Sequence, residues 1–490
     1  MLAAVCASSV LLQSGLAARI DPLLNVPALN GALPGICIMK LDGTVLYERN
    51  GNTRVVPASN QKILSVAYAL HTLGPEWRPK TRFWKEAERV VVDCPGDPSM
   101  TYEKLKEAAA KLGGPSLPVY VRQGYRPGIP PTWENDDLPH RYAPRITALT
   151  VNRGSFTLVG EKGAVRLEPE AFGVRLLQFP GGGSVSTTFD PFGNLMVIRG
   201  DAPVERRNLE NFAIPEPDRA AASILGGRLF EAIEVPSRTP DLEIEGDTIG
   251  KMAKDCLQPS DNYLAECLMM LAAQKSNPIG PSPYPTAPNR MRQFLTGTVG
   301  LTSDEVRPYD GSGMSRHNFV TPIAIGKILA WAKRQPWADL WTDAMAKPGV
   351  GTLSSRLPGV DFQGKTGSLN SVASLSGYVK LASGEIFIVC TLFNHFIVPA
   401  ADARNVADAI VRELTKPQNL TQNPVPVGAF FEGRIEHEGP RAHPQPVAAH
   451  DHWFRRSGRY RLAARPGTNR RTQSLDASSD RRERVAVWGR

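Results

Sequence analysis

Cysteine is scarce in this chain: six in 490 residues, at positions 6, 37, 94, 256, 267 and 390, and nowhere at metal-ligand spacing. A zinc module is excluded, and a disulfide framework has little to build on. Cys256 and Cys267, the closest pair in sequence, would stand about 16 Å apart along one helix, beyond disulfide reach. Buried thiols are expected. After the opening twenty residues no apolar run is long enough to span a bilayer, which takes roughly 20 residues. A basic body is missing as well. The formal charge of +9 is concentrated in 451–490, where eleven arginines face Asp451, Asp476, Asp480 and Glu483; that segment carries +7 and leaves +2 for the first 450 residues. Nucleic-acid binding by the main body is excluded on that ground. The opening, MLAAVCASSVLLQSGLAARI, has no charge before Arg19 and hence no basic leader. Its apolar run followed by small residues from Gly15 to Ala18, Leu16 excepted, nevertheless reads as an export signal over 1–20.

What is present is a long chain, 42% hydrophobic, able to bury a large core and to build two or three domains. It is organised around Val55 to Leu70, VVPASNQKILSVAYAL. Pro57 suits the start of a helix, and Ile63, Leu64, Ala67 and Leu70 recur at helical spacing. Ser59 and Lys62 then share a face, with Cβ atoms roughly 5–6 Å apart, close enough for the amine to take a proton from the hydroxyl. The amine must be neutral for that. Bringing a lysine from a pKa of about 10.4 to neutrality takes about 4 kcal/mol from burial and neighbouring cations. The helix is therefore expected to be buried, with a second cation nearby. The S-x-x-K pattern alone also describes a helix N-terminus with a solvent-facing lysine, so the rest of the chain has to decide.

Gly35 to Arg49 reads as a hairpin turning at Leu41-Asp42-Gly43-Thr44, with Ile36, Ile38 and Lys40 alternating. A hairpin leading into a nucleophile-bearing helix points to an α+β fold, an antiparallel sheet flanked by helices. From Thr81 to Glu245 short strand-like runs alternate with Gly, Pro and Asp turns, interrupted by one helix over Thr101 to Leu112. This is a β-rich accessory insertion. Within it, Pro131 to Phe156 stands out for Trp133, Asp136, Asp137 and Tyr142, either an aromatic anchor with solvated acids or a substrate contact. Asp247 to Ala273 returns to helix, broken at Pro259, with Ser260 the expected N-cap of the second part and Asn262 beside it. Asp310 to Pro322 is a glycine-rich polar loop ahead of a helix over Ile323 to Arg334. Last, Lys365-Thr366-Gly367-Ser368 precedes a hairpin of Ser374 to Leu381 and Glu385 to Asn394. A lysine on an edge strand often only guards the edge. Followed by Thr-Gly, it also suits a carboxylate and an extended peptide.

S-x-x-K, S-x-N and K-T-G in that order, together with PASNQKI, GDPSMT, the segment from Trp133 to Leu149, SDNYLAE, DGSGMSRHN, GTLSSRL and GKTGSL, resemble the class C low-molecular-mass penicillin-binding proteins. These are D-alanyl-D-alanine carboxypeptidases and endopeptidases of peptidoglycan with a penicillin-binding transpeptidase/β-lactamase-like domain. The likeness spans about residues 30 to 412 and implies a split catalytic domain, 21–84 and 246–415, around an insert at 85–245. It further implies that Ser59 is the nucleophile, Lys62 its base and Lys365 the second cation. Ser260 would relay a proton to the leaving group, Asn262 hold the substrate amide, and Thr366 touch the terminal carboxylate. Gly367 admits the peptide, and the amides of Ser59 and Ser368 form the oxyanion hole. Arg316 would meet the carboxylate of the third-position diamino acid and Asp136 or Asp137 its ammonium, with Trp133 and Tyr142 as walls.

The reaction so implied needs no cofactor and no metal. Stem peptides of peptidoglycan are the expected partners and β-lactam antibiotics the covalent inhibitors, in the periplasm or another extracytoplasmic wall space. The alternatives are a β-lactamase-like hydrolase and a non-catalytic penicillin- or wall-binding protein. The long insert favours peptides over the first, and intact Ser59, Lys62 and Lys365 argue against the second. From 416 to 490 the chain is rich in Pro, Arg and His and reads as a disordered tail, suited to peripheral association with a membrane surface or wall and dispensable for acylation.

Overall fold

The computed structural model describes residues 15–416 apart from 114–116, 170–172, 233, 276 and 281. The tail reading for 417–490 and most of the export-signal reading lie outside the described residues. A five-stranded antiparallel sheet runs in the order Phe362–Leu369, Val372–Lys380, Ile386–Asn394, Leu33–Lys40, Val45–Arg49. Both expected hairpins are therefore present, and the N-terminal one lies beside the C-terminal strand, with Cys37 opposite Cys390.

The sheet is covered on both faces. Successive side chains of a strand point opposite ways, so Cys37 and Met39 enter one core with Ile388, Leu392 and the helix Gln61–Leu73. Ile36 and Ile38 enter the other with Phe387, Val389 and Phe393 and with Ile410, Val411 and Leu414 of the helix Ala400–Thr415. The alternation read at Ile36 and Ile38 thus describes only half of a strand that is apolar on both sides, as covered sheets require. Residues 15–24 form a further helix on this second face, burying Leu16, Ile20 and Leu24, while Arg19 donates to Oε1 of Glu413 at 2.9 Å. The residues read as a signal cut site therefore lie in a packed helix. The five cysteines among the described residues are buried thiols, and no helix there is long and apolar enough to cross a membrane.

The region between is mixed rather than purely antiparallel. The helix expected over Thr101 to Leu112 is Tyr102–Lys111, capped by Thr101, and it connects two parallel strands, Val90–Cys94 and Val119–Gln123. These belong to a five-stranded sheet whose opposite edge pairs Lys80–Lys85 with Leu242–Glu245, bringing the two ends of the region side by side. Two three-stranded sheets complete it, one of Arg175–Phe179, Leu195–Arg199 and Ser186–Asp190, the other of Arg207–Ala213, Ser155–Glu161 and Ala164–Glu168.

Candidate active site

Ser59 sits in a single 3-10 turn, Ala58–Asn60, that runs into the helix Gln61–Leu73. Ala58 adopts φ 48°, a left-handed conformation that costs about 1–3 kcal/mol and persists only where the surroundings hold it. They do so by side-chain bonds to the backbone. Asn394 bonds both groups of Val56, accepting from its N–H at 3.0 Å and donating to its carbonyl at 3.1 Å. Ser374 Oγ donates to the Pro57 carbonyl at 2.8 Å, and Asn60 Nδ2 to the Lys365 carbonyl at 3.0 Å. The Ser59 turn is thereby tied to the edge strand and to the two strands beside it.

The helix behind Ser59 is buried on every side from Gln61 to Leu70, so Lys62 is fully buried rather than solvent-facing. Its Nζ lies 2.9 Å from Ser59 Oγ, 2.6 Å from Asn262 Oδ1 and 2.7 Å from the Ser312 carbonyl. Two of these partners are pure acceptors. A neutral amine has two N–H groups and one lone pair, so with the hydrogens on Asn262 and Ser312 the lone pair is left facing the Ser59 hydroxyl. Burial is the main force lowering the Lys62 pKa, opposed by the charges of Asp310, Glu266 and Asp261.

Lys365, also fully buried on the edge strand Phe362–Leu369, donates to Ser260 Oγ and to the Thr366 carbonyl, both at 2.8 Å. Its pKa is pushed well below the normal lysine range, first by burial and then by the Lys62 charge. The repulsion is mutual, but the acids named above lie on the Lys62 side. Through their charge they oppose, on Lys62, the depression that burial causes. Ser260 is not the helix cap. Asp261 caps the helix Asn262–Ala273 by accepting from Leu264 N at 2.9 Å, while Ser260 takes φ 67° and its hydroxyl turns to Lys365.

Gly367 is needed for space. A Cβ there would lie 2.8 Å from the Ser59 amide nitrogen and 3.1 Å from the Pro57 carbonyl and would collide with Ser374 Oγ. The glycine in K-T-G therefore lets the strand backbone approach the nucleophile itself. Thr366 is buried, with its hydroxyl on Thr352 Oγ1 at 2.7 Å, while Ser368 is exposed.

The insert reaches this cluster through its loop. Asn262 Nδ2 donates to the Tyr142 carbonyl at 2.7 Å, so Asn262 joins Lys62 on one side to the loop on the other. Trp133 is buried and its Nε1–H donates to Asp310 Oδ2 at 3.1 Å, which ties the insert's loop to the Asp310 loop. Tyr142 is exposed, and its hydroxyl donates to Asp137 Oδ1 at 2.8 Å. Asp136 is exposed. Arg316 is held by Glu134 Oε1 at 2.9 Å and donates to the Asn370 carbonyl at 3.0 Å.

Ser59, Lys62, Ser260, Asn262, Lys365 and Thr366 are thus gathered from three distant segments. Sequence reasoning missed Ser312, whose backbone carbonyl does the binding; Thr352, visible only as part of GTLSSRL; and Glu134, hidden among acids. Among the described residues no three His, Cys, Asp or Glu side chains form a metal-binding group.

The family model of the D-Ala-D-Ala carboxypeptidase 3 (S13) family matches residues 16–175 and 242–416, with the later part of the insert unmatched between them. The D-alanyl-D-alanine carboxypeptidase of Actinomadura sp. (strain R39) is 27% identical over 430 residues, covering 75% of this chain and 79% of that protein. The D-alanyl-D-alanine carboxypeptidase DacB of Haemophilus influenzae is 24% identical over 403 residues, 70% of this chain and 81% of that protein. The crystal structure of penicillin binding protein 4 (dacB) from Haemophilus influenzae shares the fold, with TM-score 0.66 at 19% identity over 82% of this chain and 98% of that one.

Proposed function

This chain belongs to the D-Ala-D-Ala carboxypeptidase 3 (S13) family and is a serine-type D,D-peptidase, and from that premise we propose how its own residues perform the reaction. Ser59 Oγ attacks the carbonyl of the penultimate D-alanine as its proton passes to Lys62 Nζ. The observation that carries this is the Lys62 environment, in which two pure acceptors occupy two directions and Ser59 the third. The terminal carboxylate of the substrate would settle beside Lys365 and Thr366. Its charge favours the ammonium form of Lys365, and an ammonium there disfavours a second one on Lys62. Substrate binding would then shift the positive charge from Lys62 to Lys365 and leave the base neutral. Ser260, on Lys365, would pass a proton to the departing amine. The amides of Ser59 and Ser368 would stabilise the oxyanion, a device worth about 3 kcal/mol per donor. Water then releases the acyl-enzyme.

The catalytic unit is read as 21–84 with 246–415, and the insert as 85–245; the pairing of Lys80–Lys85 with Leu242–Glu245 supports a junction at that place. Cell-wall stem peptides are the substrates in this reading, acted on outside the cytoplasm, whether at chain ends or at cross-links, and β-lactams acylate Ser59.

The first test is intact mass after incubation with a labelled penicillin. Wild type is expected to gain one lasting adduct and Ser59→Ala none. Destruction of the penicillin without an adduct would instead favour a β-lactamase, and no reaction at all a binding protein. Arg316 is already engaged by Glu134, so a substrate carboxylate must displace that partner; exposed pairs of this kind are worth about 0–1 kcal/mol. Glu134→Gln is therefore expected to lower KM for stem peptides bearing a free side-chain carboxylate by about 2–5-fold and to leave the amidated peptides unchanged. Equal effects on both peptides would remove Arg316 from carboxylate recognition.

A further inference from the structure

Among the described residues two amines and two carboxyl groups are wholly buried around the nucleophile helix: Lys62, Lys365, Glu266 and Asp310. The reaction above uses the two amines. Burying an unpaired charge costs several kcal/mol, so the acids require an account. Asp310 has one in its four donors: Gly313 N at 2.8 Å, Ser315 N at 2.7 Å, Asn318 Nδ2 at 2.7 Å and Trp133 Nε1 at 3.1 Å. It ties its own loop to the insert.

Glu266 stands one turn beyond Asn262 on the same helix, and residues four apart share a face. From that face Asn262 reaches Lys62 directly, while Glu266 reaches it through the backbone of Ser312. The Glu266 carboxylate accepts from Gly311 N at 3.0 Å, from Ser312 N at 2.8 Å and from the Tyr284 hydroxyl at 2.6 Å. The carbonyl of the same Ser312 accepts from Lys62 Nζ at 2.7 Å. Every group touching Glu266 here is a donor, so the ionised form is the one the site is built around. The approach is tight: a Cβ on Gly311 would lie 2.5 Å from the Ala265 carbonyl.

We propose that Glu266 is a positioning residue for Lys62, holding the Ser312 backbone by its N–H so that the carbonyl of the same residue faces the amine that activates Ser59. The inference rests on the assignment of Ser59 and Lys62 made above. Its charge has a second effect, because a buried carboxylate near Lys62 favours the ammonium form and opposes the depression caused by burial. The groups facing Glu266 are Tyr284 from the segment before the helix Thr286–Phe294, Asp310 and the amides of Gly311 and Ser312 from the loop, and the charge of Lys62 from the nucleophile helix. Burial first and Asp310 second push its own pKa upward.

The test is the second-order rate of acylation by a labelled penicillin as a function of pH, for wild type, Glu266→Gln, Tyr284→Phe and Lys62→Arg. Glutamine puts an NH2 against backbone N–H groups, so the Ser312 backbone must turn. We expect the rate to fall about 10–100-fold, the scale of a small misplacement of a catalytic group, and the acidic limb of the profile to move to lower pH because Lys62 has lost a negative neighbour. Tyr284→Phe, which leaves the amide contacts in place, is expected to cost about 2–5-fold with the limb moving the same way, and it carries the test if Glu266→Gln does not fold. A loss of amplitude with an unmoved limb, or no change in rate, overturns the proposal and leaves Glu266 as scaffold. If Lys62→Arg acylates normally, the underlying assignment of Lys62 fails instead.

Discussion

Lys62→Arg is expected to lose about 10²–10⁴-fold in the rate of Ser59 acylation, the range for removing a positioned general base, while Lys62→Met loses at least as much. Arginine keeps the positive charge and the donors for Asn262 Oδ1 and the Ser312 carbonyl, but it does not deprotonate in proteins. The comparison therefore separates a base from a mere cation. Methionine leaves those two buried acceptors unpaired, at about 1–3 kcal/mol each, so its melting temperature should fall more than its volume alone requires. In wild type the rate should rise with pH as Lys62 loses its proton, because the neutral amine is the active form. Since burial lowers the Lys62 pKa, that rise should be centred below the ordinary lysine range. Stopped-flow acylation from pH 5 to 10 reads both effects. An arginine variant with near-normal rates would show that Lys62 only organises charge.

Gly367→Ala should cost about 10²–10³-fold in acylation, comparable to removing one oxyanion donor, with a stability loss of only about 1–3 kcal/mol. The added methyl would stand 2.8 Å from the Ser59 amide nitrogen, a distance real Cβ atoms do not tolerate. Something has to move, and the nucleophile turn is what it meets. Ser374 Oγ is also in the way, yet it is a side chain that can rotate at the expense of its bond to the Pro57 carbonyl. The double variant Gly367→Ala/Ser374→Gly isolates the two contacts. Acylation should stay lost, because the Ser59 contact remains. Recovery in the double variant would mean that the serine side chain, and not the nucleophile backbone, sets the need for glycine.

Both predictions concern residues that the sequence already singled out, and the reason is local. Ser59 and Lys62 lie three apart on a helix whose apolar spacing is plain in the chain, and Lys365 to Ser368 precede a hairpin whose turn is equally plain. Helices, hairpins and short motifs depend on neighbours in sequence. Their α+β class followed, as did the resemblance that orders the three motifs. The insert was legible as an insert, but the parallel pairing of Val90–Cys94 with Val119–Gln123 was not drawn from its strand-helix-strand pattern.

Contacts across hundreds of residues had to wait for the tertiary structure. Ser260 looked like a cap because serine caps helices, but the neighbouring Asp261 makes that bond and the hydroxyl is free to meet a lysine 105 positions away. Trp133 read as either an aromatic anchor or a substrate contact, and only the folded chain puts its indole N–H on Asp310. The charge balance of the two lysines depends on which buried acids lie near each, and Lys62 has Asp310 and Glu266 beside it. The chain by itself singled out the residues proposed to carry the chemistry, because reactivity resides in side-chain type and local spacing. Which of them is charged, which is merely structural and which backbone carbonyl completes the site was decided by burial and by donors brought together from distant segments, and those exist only once the chain has folded.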